Sequence, residues 1–304
     1  MHKSYHSARD AKLAQISSRR VLLCKRVHYG KQYNTKPHIE GIMHLKWTRR
    51  AILAIAVGFG MMPSACMAAA NEPIAPDRPD FSEGVDTVPV GMTQLEMGYT
   101  YSRSGAESDQ SLGNFLVRVP INTRCEARIG LNSYDISRLP GGNTSGFEDL
   151  DIGVKYKLND KAGKVGSINP NTSIILLTSL PTGGTPYRTP SLQPTVKLCA
   201  GWSLTENIDL SGNLNYSNLY DPAGRYSQWA VSTSFGFTIS PRWGSFLEYY
   251  GSFPGTRGGP NANFVDTGLS YLINDNLAAD VQIGKGINGI PNEFFWGTGL
   301  SVRW

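Results

Sequence analysis

From Met92 to the last residue the chain repeats one pattern. About ten residues alternate between large apolar and small or polar side chains, and a cluster of turn formers follows. A β-strand turns successive side chains to opposite faces, so each segment reads as a strand with one apolar face. The closing stretch EFFWGTGLSVRW is the clearest, with Trp296, Thr298, Leu300, Val302 and Trp304 on one side and Gly297, Gly299, Ser301 and Arg303 on the other. Counted by their apolar faces, the segments begin at Leu95, Phe115, Cys125, Leu150, Ile174 and Val196, then at Ile208, Trp229, Trp243, Val265, Leu277 and Trp296. That makes twelve strands, with no helical period among them. The pattern predicts an all-β fold, a transmembrane antiparallel up-and-down β-barrel of about 12 strands.

The connections support this reading. Alternate ones are short (PINT, LTEN, SPR, NDN), with NDKAGKVGSINPN as the exception. The others are long: SRSGAESDQS, SYDISRLPGGNTSGFED, PTGGTPYRTPSLQP, SNLYDPAGRYSQ, GSFPGTRGGPNAN and GKGINGIPNE. Outer-membrane barrels have short periplasmic turns and longer outer loops, so both termini are expected to be periplasmic. Tyr156, Trp202, Trp243, Tyr271 and Trp304 fall at the periplasmic ends, and Tyr101, Tyr216, Trp229 and Trp296 at the opposite ends. Two aromatic belts at the bilayer interfaces would place them so. A soluble sandwich shares the alternation but has no need of such rims. Strand five, TSIILLTSL, is apolar on both faces, which suits either a subunit contact or an apolar patch in the lumen.

The second face carries Gln94, Glu96, Arg118, Arg124, Glu126, Arg128, Asp149, Asp151, Lys155, Lys157, Lys197, Asp209, Asn213, Asn215, Glu248, Asp266, Asp280, Gln282, Lys285 and Arg303. A charge facing lipid costs a few kcal/mol near the midplane, so this face is assigned to the lumen. Arg124, Glu126, Arg128, Asp149, Asp151, Lys155, Glu248, Asp280 and Arg303 are the pore-lining candidates. A register opposing Glu126 to Lys155 would make a ladder of mixed sign with Arg124, Arg128, Asp149 and Asp151. Such a ladder either screens solutes by a transverse field or stiffens the wall. The apolar residues assigned to the lumen are few: Leu116, Phe246 and Tyr250.

Charge divides the chain unevenly. Residues 1–70 hold 12 of the 29 Lys and Arg, 2 of the 24 Asp and Glu, and all 5 His, which leaves 17 basic against 22 acidic residues and a net −5 beyond them. The basic excess therefore belongs to a leader, and nucleic acid is not an expected partner. Within it, MHLKWTRR, the apolar run AILAIAVGFGMM and the small-residue stretch ACMAAA form a secretion signal over residues 43–70, with cleavage expected before Asn71. Residues 1–42 are read as a misassigned start or a basic extension. Cys24 and Cys66 fall in the leader, and Cys125 and Cys199 are expected on opposite faces, so no disulfide is predicted.

Residues 71–91, NEPIAPDRPDFSEGVDTVPVG, precede the barrel (92–304), and their prolines forbid a helix or a central strand. Twelve strands enclose a lumen between the side-chain-filled eight and the open sixteen. This segment is thus either a plug held by Asp77, Arg78 and Asp80 against lumenal charges or an unstructured leader. PDRPDFSEGVDTVPVGMTQLEMGYTY, with LPTGG after strand five and the closing alternation, resembles the outer-membrane transporter family named for the meta pathway of phenol degradation. The sharpest match is Asp77 to Phe81 followed by Pro89, Gly91, Gln94 and Glu96. The resemblance implies a barrel in a Gram-negative outer membrane that passes small molecules, with aromatic compounds suggested by the family's name.

An enzyme is not expected. Proton shuttling near neutral pH by a Ser-His-Asp or Asp-His pair needs an imidazole, and no histidine follows residue 70. No metal cluster, phosphate loop or cofactor motif occurs. The expected partners are outer-membrane lipid, a small-molecule solute and the barrel assembly machinery, reached through the C-terminal strand ending in Trp304. Two functions remain: an outer-membrane channel for small solutes, or a structural or surface-interaction barrel with a closed lumen.

Overall fold

The computed structural model describes residues 72–159, 165–221, 224–255, 261–288 and 293–304. The leader expectations for residues 1–70 lie outside these. Among the described residues, fourteen strands form one antiparallel sheet. They are β1 (Gln94–Ser104), β2 (Glu107–Asn122), β3 (Cys125–Gly130), β4 (Tyr134–Leu139), β5 (Gly142–Phe147), β6 (Leu150–Lys157) and β7 (Asn171–Leu180). There follow β8 (Gln193–Ser203), β9 (Ile208–Asp221), β10 (Gly224–Thr238), β11 (Trp243–Pro254), β12 (Ala262–Asn274), β13 (Leu277–Asn288) and β14 (Glu293–Arg303).

The wall has twelve strands. The sheet closes because β1 pairs with β14 on one side and with β2 on the other. β3 lies along the second half of β2 and β4 along its first half, so the two make one wall strand broken at residues 131–133. β5 and β6 pair with β4 and β3 in the same way and form the next. Closure pairs both edges of every wall strand except along β5, which pairs with β4 alone, and paired edges are what a bilayer interior requires.

Apolar and charged residues are distributed inside out. Leu247 (54% exposed), Val281 (50%) and Trp229 (49%) point outward, whereas Glu126 and Lys155 (both 0%) are sealed inside. Trp243 packs tilted against Tyr271 at 4.6 Å on one rim, and Tyr216 against Trp229 at 5.0 Å and Tyr99 against Trp296 at 5.3 Å on the other. Cys125 is half-buried and Cys199 buried, both as free thiols.

Three expectations are corrected. First, much of the sequence expected as long outer loops is strand. β1 runs to Ser104 and β2 starts at Glu107, β4 and β5 form a hairpin within the expected loop 133–149, and β9 and β10 extend to Asp221 and from Gly224. A strand leaving the membrane meets water on both faces, so its apolar alternation fades while its pairing continues. Second, β2 reverses its facing partway. Gly113 (φ 111°) and Asn114 (φ 42°) make a bulge opposite Met97, so Ser111 and Arg118 are both buried despite opposite parity. Third, Lys285 is exposed, because it shares the outward parity of Val281 and Ile283.

Candidate functional site

Residues 72–91 lie in the lumen, without regular secondary structure. Hydrogen bonds and ion pairs from this segment end on β1, β2, β3, β6, β8, β9, β10, β11, β13 and β14, so it crosses the barrel from wall to wall. Prolines leave the segment unable to pair as a strand, and side chains from the wall take over its backbone donors. Glu96 accepts the Asp77 and Arg78 N–H groups at 3.1 Å, Glu126 the Val88 N–H at 2.9 Å, and Glu248 the Phe81 and Ser82 N–H groups at 2.6 and 2.8 Å.

Asp77 is the centre of the charged network. Its carboxylate meets Arg128 Nη1 at 2.6 Å, Lys155 Nζ at 3.0 Å and Arg118 Nη1 at 3.3 Å. Burial works to raise the Asp77 pKa, but the Arg118, Lys155 and Arg128 cations overcome it and hold the carboxyl well below the usual range. Glu83 repeats the arrangement, bonding Arg128 Nη2 and Lys197 Nζ at 2.7 Å each. On the far side Arg78 reaches Asp280 at 3.3 Å. Its guanidinium passes over the paired Gly98 and Gly299, and a Cβ at either position would collide with it. Arg303 donates to the Glu72 carbonyl at 2.8 Å.

The sequence-derived candidates separate into groups. Glu126 stands opposite Lys155, in the register expected for them. Arg128, Glu248, Asp280, Arg303, Asp77 and Arg78 are buried and joined in the network just described. Asp80 is half-buried, within electrostatic reach of Asp266. Three residues do not form the mixed ladder. Arg124 falls in the β2–β3 turn, where Asn122 Oδ1 accepts its N–H at 2.8 Å. Asp149 sits at the break before β6 and accepts the Gly183 and Thr189 N–H groups at 2.7 and 2.9 Å, fixing the β7–β8 connection. Asp151 stands opposite Gly130 and accepts a hydrogen bond from Ser179. The charges that complete the ladder come instead from Arg118 on β2 and from Asp77 and Glu83 in the plug.

On the aromatic side of the lumen Tyr250 and Phe246 were expected, whereas Phe81, Phe264 and Phe295 were missed. Phe81 of the plug stacks on Tyr250 at 4.6 Å, Tyr250 on Phe264 at 5.0 Å, and Phe264 lies 6.1 Å from Phe295. In the ring order β11 is six strands from β3, so this stack faces the Arg128 and Glu126 wall across the barrel. Inward parity in NFVD and EFFW was the available signal, masked by the apolar neighbours Val265 and Trp296 on the opposite face. The two-faced strand five resolves into a lumenal patch, since Ile175 is fully buried on the inner face.

Residues 76–304 match the family described as "Putative MetA-pathway of phenol degradation". The chain belongs to this family. None of the curated proteins compared matches it by sequence. Among solved structures, the COG4313 outer membrane channel from Pseudomonas putida F1 is similar at 13% identity with a TM-score of 0.57, covering 72% of this chain and 98% of that one. The NanC porin is similar at 10% identity with a TM-score of 0.49, covering 68% and 98%. At these identities the likeness is one of fold, a closed antiparallel β-barrel shared with the channel.

Proposed function

We propose that this family member is a gated channel of a Gram-negative outer membrane, passing small solutes that include small aromatic or hydrophobic compounds, with residues 72–91 as the closing element. The observation that carries the reading is the plug itself. It is bonded to opposite walls through buried ion pairs, Asp77 to Arg128 and Lys155 on one side and Arg78 to Asp280 on the other. A barrel that served only as a scaffold would have no use for a charged segment matched so closely to its interior. The stack of Phe81, Tyr250, Phe264 and Phe295 supports aromatic or apolar cargo, because such rings offer π faces to a solute that carries little charge. The proposal includes periplasmic termini, lipid against the exposed apolar belt, and recognition of the strand ending in Trp304 by the barrel assembly machinery.

The test is single-channel recording in planar bilayers of the protein purified from outer membranes, beside a variant lacking residues 72–91. Heat-modifiable gel mobility serves as the check of folding. The intact protein is expected to open rarely and the deletion to give steady ohmic steps. Silence from both folded proteins would overturn the channel reading in favour of a closed structural barrel.

A further inference from the structure

The plug does not fill the lumen, and a cavity of about 130 Å³ remains between it and the wall near β2, β7 and β8. Its apolar lining includes Phe115, Leu116, Leu177 and Leu219, with the Tyr187 ring among the other lining side chains. Tyr187 is fixed in place, its hydroxyl donating to the Thr144 carbonyl and sharing a hydrogen bond with the Ser137 hydroxyl, both at 3.2 Å, and its ring lying against Gly146. An apolar protein cavity of roughly 150 Å³ accommodates benzene, so this one has room for a single six-membered ring.

A buried hydrogen-bond donor at the cavity is without a partner. Gln193 is 1% exposed; its Oε1 accepts the Tyr220 N–H at 2.9 Å, which fixes the amide, and its Nε2 donor has no hydrogen-bond partner. A buried donor left unmade costs free energy, and a ligand that supplies an acceptor recovers it. Charge sets the remaining limit. Among the described lining side chains carboxylates outnumber cations five to three, and Arg128 and Lys197 are already engaged by Glu83. An anion would therefore enter against the prevailing charge and find no free cation among these two.

From this cavity and this donor we infer a solute-binding site between the plug and the β7–β8 connection, specific for a neutral six-membered-ring compound carrying one hydrogen-bond acceptor. Gln193 Nε2 donates to the acceptor, while Leu177, Leu219 and Phe115 hold the ring. The inference rests on the channel reading and gives the channel a site at which cargo waits beside its gate.

The test is equilibrium dialysis of radiolabelled cyclohexanone against the detergent-solubilised protein, with cyclohexanecarboxylate as the charged counterpart. Saturable cyclohexanone binding is expected, lost in Leu219→Trp, which fills the cavity, and weakened about fivefold in Gln193→Leu, the effect of one hydrogen bond. Leu177→Phe is the second filling variant should Leu219→Trp fail the heat-modifiability check. No saturable binding by the wild type, or binding unchanged in a folded filling variant, would overturn the site. Binding of cyclohexanecarboxylate as tight as that of cyclohexanone would overturn the neutral specificity. Conductance steps without cyclohexanone binding would overturn this site and leave the channel standing, whereas silence from the plug-deleted barrel would remove the channel reading itself.

Discussion

Asp77 joins three cations of the wall, Arg118, Arg128 and Lys155, and all four side chains are nearly inaccessible. Removing one partner of a buried pair leaves the others uncompensated, at a cost of about 3–5 kcal/mol. Asp77→Asn keeps the volume and removes the charge. It is expected to raise the open probability in planar bilayers at least tenfold and to lower the melting temperature of the plugged barrel. The pH dependence follows from the same cations. Because the folded pKa is depressed, the stabilisation from Asp77 is complete above the unfolded value near 4 and is lost only as pH falls through the lower folded value. The difference in open probability between wild type and Asp77→Asn should therefore stay constant from pH 7 to pH 5, and a difference that shrinks across that window would mean that the carboxylate is not held by its cations. Across the lumen, Gly299→Ala places a methyl where the Arg78 guanidinium lies and should pull it from Asp280. Its effect on gating and that of Asp280→Asn should be less than additive, since both act on one contact.

At the scale of elements, the period-two pattern made the twelve wall strands legible, along with the face that most of them present and the register of Glu126 with Lys155. Leu247 and Val281 point outward, and in the proposed membrane setting lipid against that face accounts for the alternation. Three features stayed hidden for physical reasons. The strand extensions beyond the membrane have polar residues on both faces, so β4 and β5 read as a loop. The β2 bulge depends on a positive φ at Asn114, which no alternation reveals. The partners of Asp77 and Glu83 depend on how the chain crosses the lumen, whereas the sequence shows only that Asp77, Arg78 and Asp80 carry charge in a segment unable to form a strand. Because β4 pairs only with the first half of β2 and with β5, the hairpin supplies one half of two wall strands whose other halves, β3 and β6, close the ring by themselves. Replacing residues 134–147 with a short turn should leave heat-modifiable mobility intact. The same change removes the Tyr187 anchors Ser137 and Thr144 and should weaken cyclohexanone binding. Loss of the folded band would show instead that closure through β3 and β6 needs the hairpin as well.

At the scale of the whole molecule, the interior is held by charge and the exterior by apolar contact, the reverse of a soluble domain. Ionic strength distinguishes the two populations of charge this creates. Salt between 0.1 and 1 M shortens the screening length from about 10 Å to about 3 Å, which acts on exposed pairs and hardly reaches buried ones. Asp86 and Lys157 are such an exposed pair, with side chains 66% and 24% accessible, whereas those of Arg128 and Asp77 are 6% and 2% accessible. If the buried pairs hold the plug, raising KCl from 0.1 to 1 M should increase the conductance of each open event in step with the bulk solution and change the open probability by less than twofold. Asp77→Asn, which shifts more of the hold onto the Asp86–Lys157 edge, should become salt-sensitive over the same range. A wild-type open probability that climbed tenfold with salt would place the hold on the exposed pairs, and the buried network would then be stiffening the wall rather than retaining the plug.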